Sequence, residues 1–194
     1  MRLIIITGAP ASGKSSIAEA VGKKLCIDVI SKDEFKIELF EKYGFANHAE
    51  KKRLSIKGEQ MMYDVIRNYV DNDLDLIVDN NFKNFEKIGL ILSQANIDVL
   101  VKCVYCVADY EKLAQRYNER ISSGNRHLAL YTLNQYPVIN GVSKFHPLIT
   151  REDVERIEQE IQKFTFGTDV LEINTDSIED NFESLCNSVI NFIG

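Results

Sequence analysis

Eight consecutive residues, Gly8-Ala9-Pro10-Ala11-Ser12-Gly13-Lys14-Ser15, fit the spacing G-x-x-x-x-G-K-[ST], in which a chain curls backbone amides around a phosphate. Each residue type has a chemical reason to be where it is. Gly8 and Gly13 stand where a Cβ would obstruct the turn or the anion. Lys14 reaches the β- and γ-phosphates of a nucleoside triphosphate, and the Ser15 hydroxyl ligates Mg2+. Ala11, Ser12 and Ser16 complete the nucleotide-binding set. Pro10 has no N–H, so it stiffens the loop without donating. It also excludes the dinucleotide fingerprint G-x-G-x-x-G beginning at Gly8, which would need glycine at position 10. The expected ligand is a nucleoside triphosphate.

Two aspartates close apolar runs. Asp33 follows Val29-Ile30-Ser31-Lys32, at the carboxyl end of a strand, where open α/β sheets bind ligands. A carboxylate there can accept a proton from a hydroxyl whose oxygen attacks a γ-phosphoryl group. Its bland alternative is capping of the helix that begins at this point. Asp79 ends Leu74–Val78, the pattern of a residue that positions Mg2+ directly or through water. The alternative is a strand-end turn cap. Asn80 and Asn81 follow on the same loop; Asn80 is taken as a substrate contact together with Lys36. Farther on, Arg116 and Arg120 share a helical face, and Arg126 follows the helix end Ser122-Ser123-Gly124-Asn125. Such arginines can neutralise charge on a transferring group, and otherwise they form a solvated face with Glu119. No Ser-His-Asp set, zinc site or haem motif is present.

The elements that must hold these residues follow from periodicity. Short apolar runs near 2–7, 27–30, 74–79, 97–106 and 169–173 read as strands. Helical spacing is found near 14–25, 33–42, 48–71, 84–95, 109–122, 151–164 and 178–192. Strand–helix alternation predicts an α/β fold, a parallel sheet with helices on both faces. No repeat or Pro/Gly linker divides the chain, so one domain over 1–194 is expected. Two insertions stand out. Residues 33–72 are expected to hold the acceptor, and 109–149, which carries Pro137, Gly141, Pro147 and several aromatics, is expected to be a lid or a packed arm.

Bulk properties narrow the class. The chain has 194 residues, 45% of them hydrophobic, enough for one domain with a full core. No apolar stretch approaches the ~20 residues of a membrane span. The first residues already read as strand and phosphate loop, which leaves no room for a signal peptide and predicts a cytoplasmic location. The four cysteines suit that compartment as reduced core residues. Cys103 and Cys106 form C-x-x-C, but on a strand residues three apart face opposite ways and cannot share a metal. Of 23 basic and 29 acidic residues, 151–194 hold 3 and 11, which leaves 20 and 18 for 1–150. The working part is thus near neutral, which argues against a long nucleic-acid track.

The motifs taken together, G-A-P-A-S-G-K-S, S-K-D-E-F-K, V-D-N-N-F and R-x-x-x-R with a later N-R-H, resemble the small P-loop kinases. Within these the chain is similar to the AAA-type ATP-binding group that includes polynucleotide kinase, zeta toxins and antibiotic or sugar phosphotransferases, over roughly residues 1–176. The resemblance implies the P-loop NTPase three-layer sandwich (nucleoside-kinase-like), with five parallel strands in the order 2-3-1-4-5. It implies that Asp33 is the acceptor-hydroxyl base and that Arg116, Arg120 and Arg126 are lid arginines. It places Asn174-Thr175-Asp176 near the adenine, Thr175 being the nucleotide contact. Where polynucleotide kinases carry arginine, this chain has Lys36, which keeps the charge without the bidentate fork.

The resulting expectation is an ATP- and Mg2+-dependent kinase acting on a hydroxyl of a small molecule. Lys14, Asp33 and Arg120 carry catalysis, and Ser15 and Asp79 hold the metal. Two rivals stand beside it. A nucleoside or 5′-hydroxyl oligonucleotide kinase requires the basic cluster Lys51, Lys52, Arg53 and Lys57 to face the cleft. An ATP-binding regulatory switch with slow hydrolysis requires neither base nor acceptor pocket. Acceptor identity and oligomeric state are not encoded in these patterns.

Overall fold

The computed structural model describes residues 1–83, 85–124, 126–141, 143–161 and 169–194. The chain runs β1 (Arg2–Gly8), α1 (Lys14–Leu25), β2 (Asp28–Ser31), α2 (Lys32–Tyr43), α3 (His48–Asp71), β3 (Leu76–Asp79), α4 (Glu86–Ser93), β4 (Leu100–Val107), α5 (Tyr110–Ser122), α6 (Leu128–Tyr131), α7 (Arg151–Glu160), β5 (Val170–Asn174) and α8 (Ile178–Ile193). The strands form one parallel sheet in the order β2-β3-β1-β4-β5.

β1 sits at the centre because it is apolar on both faces. Leu3 and Ile5 point to one side, where they pack with Val78 and Cys103 against Met62, Ile66 and Val70 of α3 and Ile88 and Ile91 of α4. Ile4 and Ile6 point to the other, against Ile17 and Val21 of α1 and Cys186, Val189 and Ile193 of α8. The result is helix–sheet–helix, three layers. Cys103 belongs to the first cluster and Cys106 to the second, the opposite-face placement that their spacing predicts. Among the described residues no helix is long and apolar enough to cross a membrane.

Element ends depart from the periodicity reading for local reasons. β4 starts at Leu100 rather than 97 because its partner β1 starts at Arg2, and these two residues are in register. β3 starts at Leu76 rather than 74. The end of α3 carries on through Asp73 in a left-handed turn (φ 56°), with the Leu74 amide bonded to Tyr69 O, and Leu74 itself is exposed. Helix α6 has four residues, too few to show a period. α7 ends at Glu160, and residues 162–164 of the expected helix lie outside the described residues.

All strands being parallel, their carboxyl ends share one edge, and the chemistry-bearing residues follow there. Gly8 opens the phosphate loop, Ser31 precedes Asp33, and Asp79 and Asn80 leave β3. Ile6 and Ser31 both pair with Asp79, so the central strands place the loop, Asp33 and Asp79 side by side.

Candidate active site

The phosphate loop is built by geometry that only some residues tolerate. A Cβ on Gly8 (φ +146°) would lie 2.3 Å from Cys106 O, and one on Gly13 (φ +80°) would lie 2.4 Å from Ile178 Cδ1. Ala11 is also left-handed, at φ 65°. Gly13 is the N-cap of α1 and supplies no side-chain acceptor, so the first amides of that helix are left for an anion. Inside the loop the Ser12 amide bonds to Ala9 O at 3.2 Å, and Lys14 Nζ folds back to the same carbonyl at 3.3 Å. Thr7 Oγ1 and Ser12 Oγ are buried without a partner. Ser15 faces the cleft and Ser16 the neighbouring cavity.

Asp33 is not the helix cap. Ser31 caps α2, its hydroxyl accepting from the Asp33 amide at 3.3 Å while Glu34 accepts from the Ser31 amide at 3.0 Å. That capping box leaves the Asp33 carboxylate to the cleft. There Lys36 Nζ donates to Oδ1 at 2.8 Å, and the Arg126 guanidinium donates to Oδ2. Burial alone would raise this carboxyl, but the charges and hydrogen bonds of Lys36 and Arg126 outweigh it and hold the group well below the usual carboxylate range.

Asp79 is only 4% exposed, and one of its oxygens, Oδ1, is buried with no partner. Burial raises its pKa, the nearby Lys14 charge and a hydrogen bond from Ser15 opposing. A buried carboxylate beside a serine, with an unused oxygen, fits a hard divalent cation or its water, as the chemistry of Mg2+ requires. Asn80 is buried next to it with Nδ2 unpartnered, and Asn81 lines the cleft.

The three arginines are divided among different tasks. Arg116 turns toward α8, donating to Asp176 O at 3.0 Å and pairing with Glu179 at 3.3 Å. Arg120 lies between two cavities and lines both, one of about 290 Å³ toward Asp33 and one of about 490 Å³ bounded by Gly13, Ser16, Arg116 and Ile178. Burial and the like charge of Arg126 lower its proton affinity. Arg126 reaches Asp33. Thr175 departs from its expected place: it is fully buried, and both its amide and its hydroxyl bond to Val107 O, which ties β5 to β4. Ile178 and Glu179, at the start of α8, line the second cavity. Periodicity reading also missed Tyr117 and Lys32 in the Asp33 cavity. The signal was available for Tyr117, which is three residues before Arg120 and hence on its face.

The segment 128–149 packs on the α2–α3 pair. Phe45 and Tyr136 form an antiparallel bridge, and Ala129 joins Leu39, Phe40, Phe45 and Leu54 in one cluster. Lys51 is buried, donating to Leu130 O at 3.0 Å and to Thr132 O above the Phe40 and Phe45 rings. Lys52, Arg53 and Lys57 are exposed, the last two lining a separate cavity with Tyr43 and Glu50. The basic cluster does not face the cleft.

Comparison with known proteins places this geometry. A family model described as an AAA domain matches residues 3–135. Among solved structures, a protein from Chloroflexus aurantiacus taken to be a kinase superposes with a TM-score of 0.76 at 23% identity, over 98% of this chain and 97% of that one. A sugar kinase from a Janibacter species gives 0.59 at 9% identity, covering 100% and 94%. An APS kinase from Mycobacterium tuberculosis, in complex with AMPPNP and APS, gives 0.55 at 16%, covering 99% and 96%. At these identities the likeness is one of fold. No curated protein matches the chain.

Proposed function

The chain belongs to the AAA domain family, and from that premise and the cleft just described we propose that it is an ATP- and Mg2+-dependent kinase that phosphorylates a hydroxyl group of a small molecule. The observation that carries this reading is one cavity lined on one wall by Lys14 and Ser15 and on the other by Asp33. A carboxylate set opposite the phosphate loop suits a transfer, because it can hold an acceptor hydroxyl in line with the γ-phosphorus.

In this reading the loop amides and Lys14 hold the β- and γ-phosphates. Mg2+, held by Ser15 with Asp79 behind it, neutralises charge on those oxygens when bound. The acceptor oxygen forms its bond to phosphorus as the bond to the bridging oxygen of ADP breaks, and the hydroxyl proton passes to Asp33. While Lys36 and Arg126 hold Asp33 it is a weak base, which suits a loose transition state in which the proton leaves late. Arg120, which borders both cavities, meets the charge on the transferring group in this reading. The adenosine occupies the second cavity between Arg116 and Ile178. Residues 1–194 work as one unit, 33–72 forming the acceptor wall and 109–149 the arm that covers it. The reading as a nucleoside or 5′-hydroxyl oligonucleotide kinase loses the feature that favoured it, since Lys52 is exposed and Arg53 and Lys57 line a cavity separate from the cleft.

The test is ATP consumption with Mg2+ against nucleosides, 5′-hydroxyl oligonucleotides, sugars, sugar acids, nucleotide-sugars and aminoglycosides, with Asp33→Asn as control. Acceleration by one class that the variant loses supports a kinase. A flat panel with tight ATP binding supports a switch instead.

A further inference from the structure

The cleft holds more positive charge than a triphosphate uses, and we propose that the acceptor is itself an anion, an alcohol bearing a phosphate or carboxylate group that Lys36 and Arg126 bind beside Asp33. The inference rests on the kinase reading and names the substrate class of that same site.

Five cations line the cavity, Lys14, Lys32, Lys36, Arg120 and Arg126, against two carboxylates, Asp33 and Asp79. Lys14 belongs to the phosphate loop and Arg120 borders the nucleotide cavity, so a bound triphosphate engages both. Lys32 has its own partner, Glu59, at 3.4 Å. What is left is a single carboxylate, Asp33, shared by Lys36 and Arg126. One negative charge does not balance two positive ones, and the excess is felt by the groups around it. Arg120 gives up protons more readily, through burial first and then the charge of Arg126. Lys51 is pushed down to about 8 by burial and then by Lys36 and Arg126, with Asp33 opposing.

A neutral acceptor would leave this imbalance in place. Its hydroxyl shares the Asp33 oxygens, each of which can accept more than one hydrogen bond, and adds no negative charge, so two partly buried cations still divide one carboxylate. An acceptor that brings its own anion supplies the second counter-charge as it binds. Arg126 offers a planar fork suited to two oxygens, and Lys36 a point charge beside it. Both are tied to Asp33 itself, so the anionic group sits within a few bonds of the reacting hydroxyl. The transfer step keeps the atom balance given above; only the acceptor class is fixed.

Two measurements on the full chain test this. In the first, inorganic phosphate is titrated by calorimetry into protein saturated with Mg2+ and AMPPNP, so that the phosphate loop is already filled. One saturable site is expected, weakened about tenfold or more by Lys36→Met and by Arg126→Met, with AMPPNP affinity of the variants confirming that they are folded. No second anion site, or one that neither substitution weakens, overturns the proposal. In the second, ATP consumption is compared for matched acceptors: a neutral polyol, its sugar acid and its sugar phosphate. Stimulation by one of the charged pair, with the neutral twin at least tenfold poorer, supports the proposal and tells carboxylate from phosphate. A neutral twin that works equally well overturns it while leaving the kinase reading standing. Phosphate binding that both substitutions weaken, with no acceptor raising ATP consumption, supports the anion site and removes the kinase reading instead.

Discussion

Arg126, just beyond the end of α5, donates to the Oδ2 atom of Asp33, in the first turn of α2, across 93 positions of sequence. The guanidinium therefore covers the carboxylate proposed to receive the acceptor proton, and Lys36 covers its other oxygen at 2.8 Å. An incoming hydroxyl must share Asp33 with these two cations. Replacing Asp33 by asparagine keeps the shape, loses the proton acceptor and releases both cations. Transfer is expected to fall by about 10²–10⁴, with ATP affinity changed by no more than about twofold because the phosphate loop is untouched. Rapid-quench measurement of phosphorylated product beside equilibrium binding of AMPPNP separates the two effects. Normal transfer in Asp33→Asn would remove the residue from its role.

The metal side makes a separate claim. Asp79 is buried with one oxygen unused, and Ser15 lies beside it in the same cavity. Asp79→Asn removes the charge that a cation there would see while keeping most of the volume. The Mg2+ concentration giving half-maximal ATP consumption is expected to rise about tenfold or more, with saturating Mg2+ recovering part of the rate. An unchanged Mg2+ curve would show that the aspartate serves only the turn after β3.

Much of this site is legible in the sequence, and the reason is local. The phosphate loop is contiguous, so Gly8 through Ser15 carry their own geometry, and strands with no charge identify themselves by composition. The fold order came from a resemblance of motifs, not from periodicity. What escaped is what depends on distant segments meeting. Nothing in the spacing of Lys51 says that it is buried under residues 130 and 132, whereas its neighbours Lys52 and Arg53 are exposed. The resemblance puts Thr175 near the adenine, yet its hydroxyl bonds to the carbonyl of Val107 at the end of β4 and it is turned inward. Asp33 reads from sequence as base or substrate contact with helix capping as the alternative, and only the Ser31–Glu34 box shows that the capping is done by others.

Lys51 carries a prediction about the arm. Its ammonium is the only charged side chain of the cluster that is buried, and it joins α3 to the carbonyls of Leu130 and Thr132. Lys51→Met keeps the apolar stem against Phe40 and Phe45 but leaves both carbonyls without their donor. Limited proteolysis within 128–149 is expected to speed up several-fold, while the melting temperature of the sheet domain shifts by only a few degrees, since the burial of the charge itself is costly. Unchanged cleavage would mean that the Phe45–Tyr136 bridge and its apolar cluster hold the arm alone.

His146, in the same arm, makes stability depend on pH in mild acid. Its pKa is pushed down from 6.5 to about 4, by burial first and then by the positive charges of Lys51, His48, Arg126 and Lys36. Between those values the unfolded chain binds a proton that the folded chain refuses, so stability rises with pH across this window. The contribution is complete above pH 6.5 and is lost as the pH falls toward 4, with a slope of at most about 1.4 kcal/mol per pH unit. Asp33, whose folded pKa is lowered, adds a loss of the same sign only below its ordinary value of 3.8, outside this window. Thermal melts of wild type and His146→Gln at pH 7 and 4.5 check the assignment: the wild type is expected to lose several degrees more than the variant. Equal losses in the two proteins would assign the titration to another group.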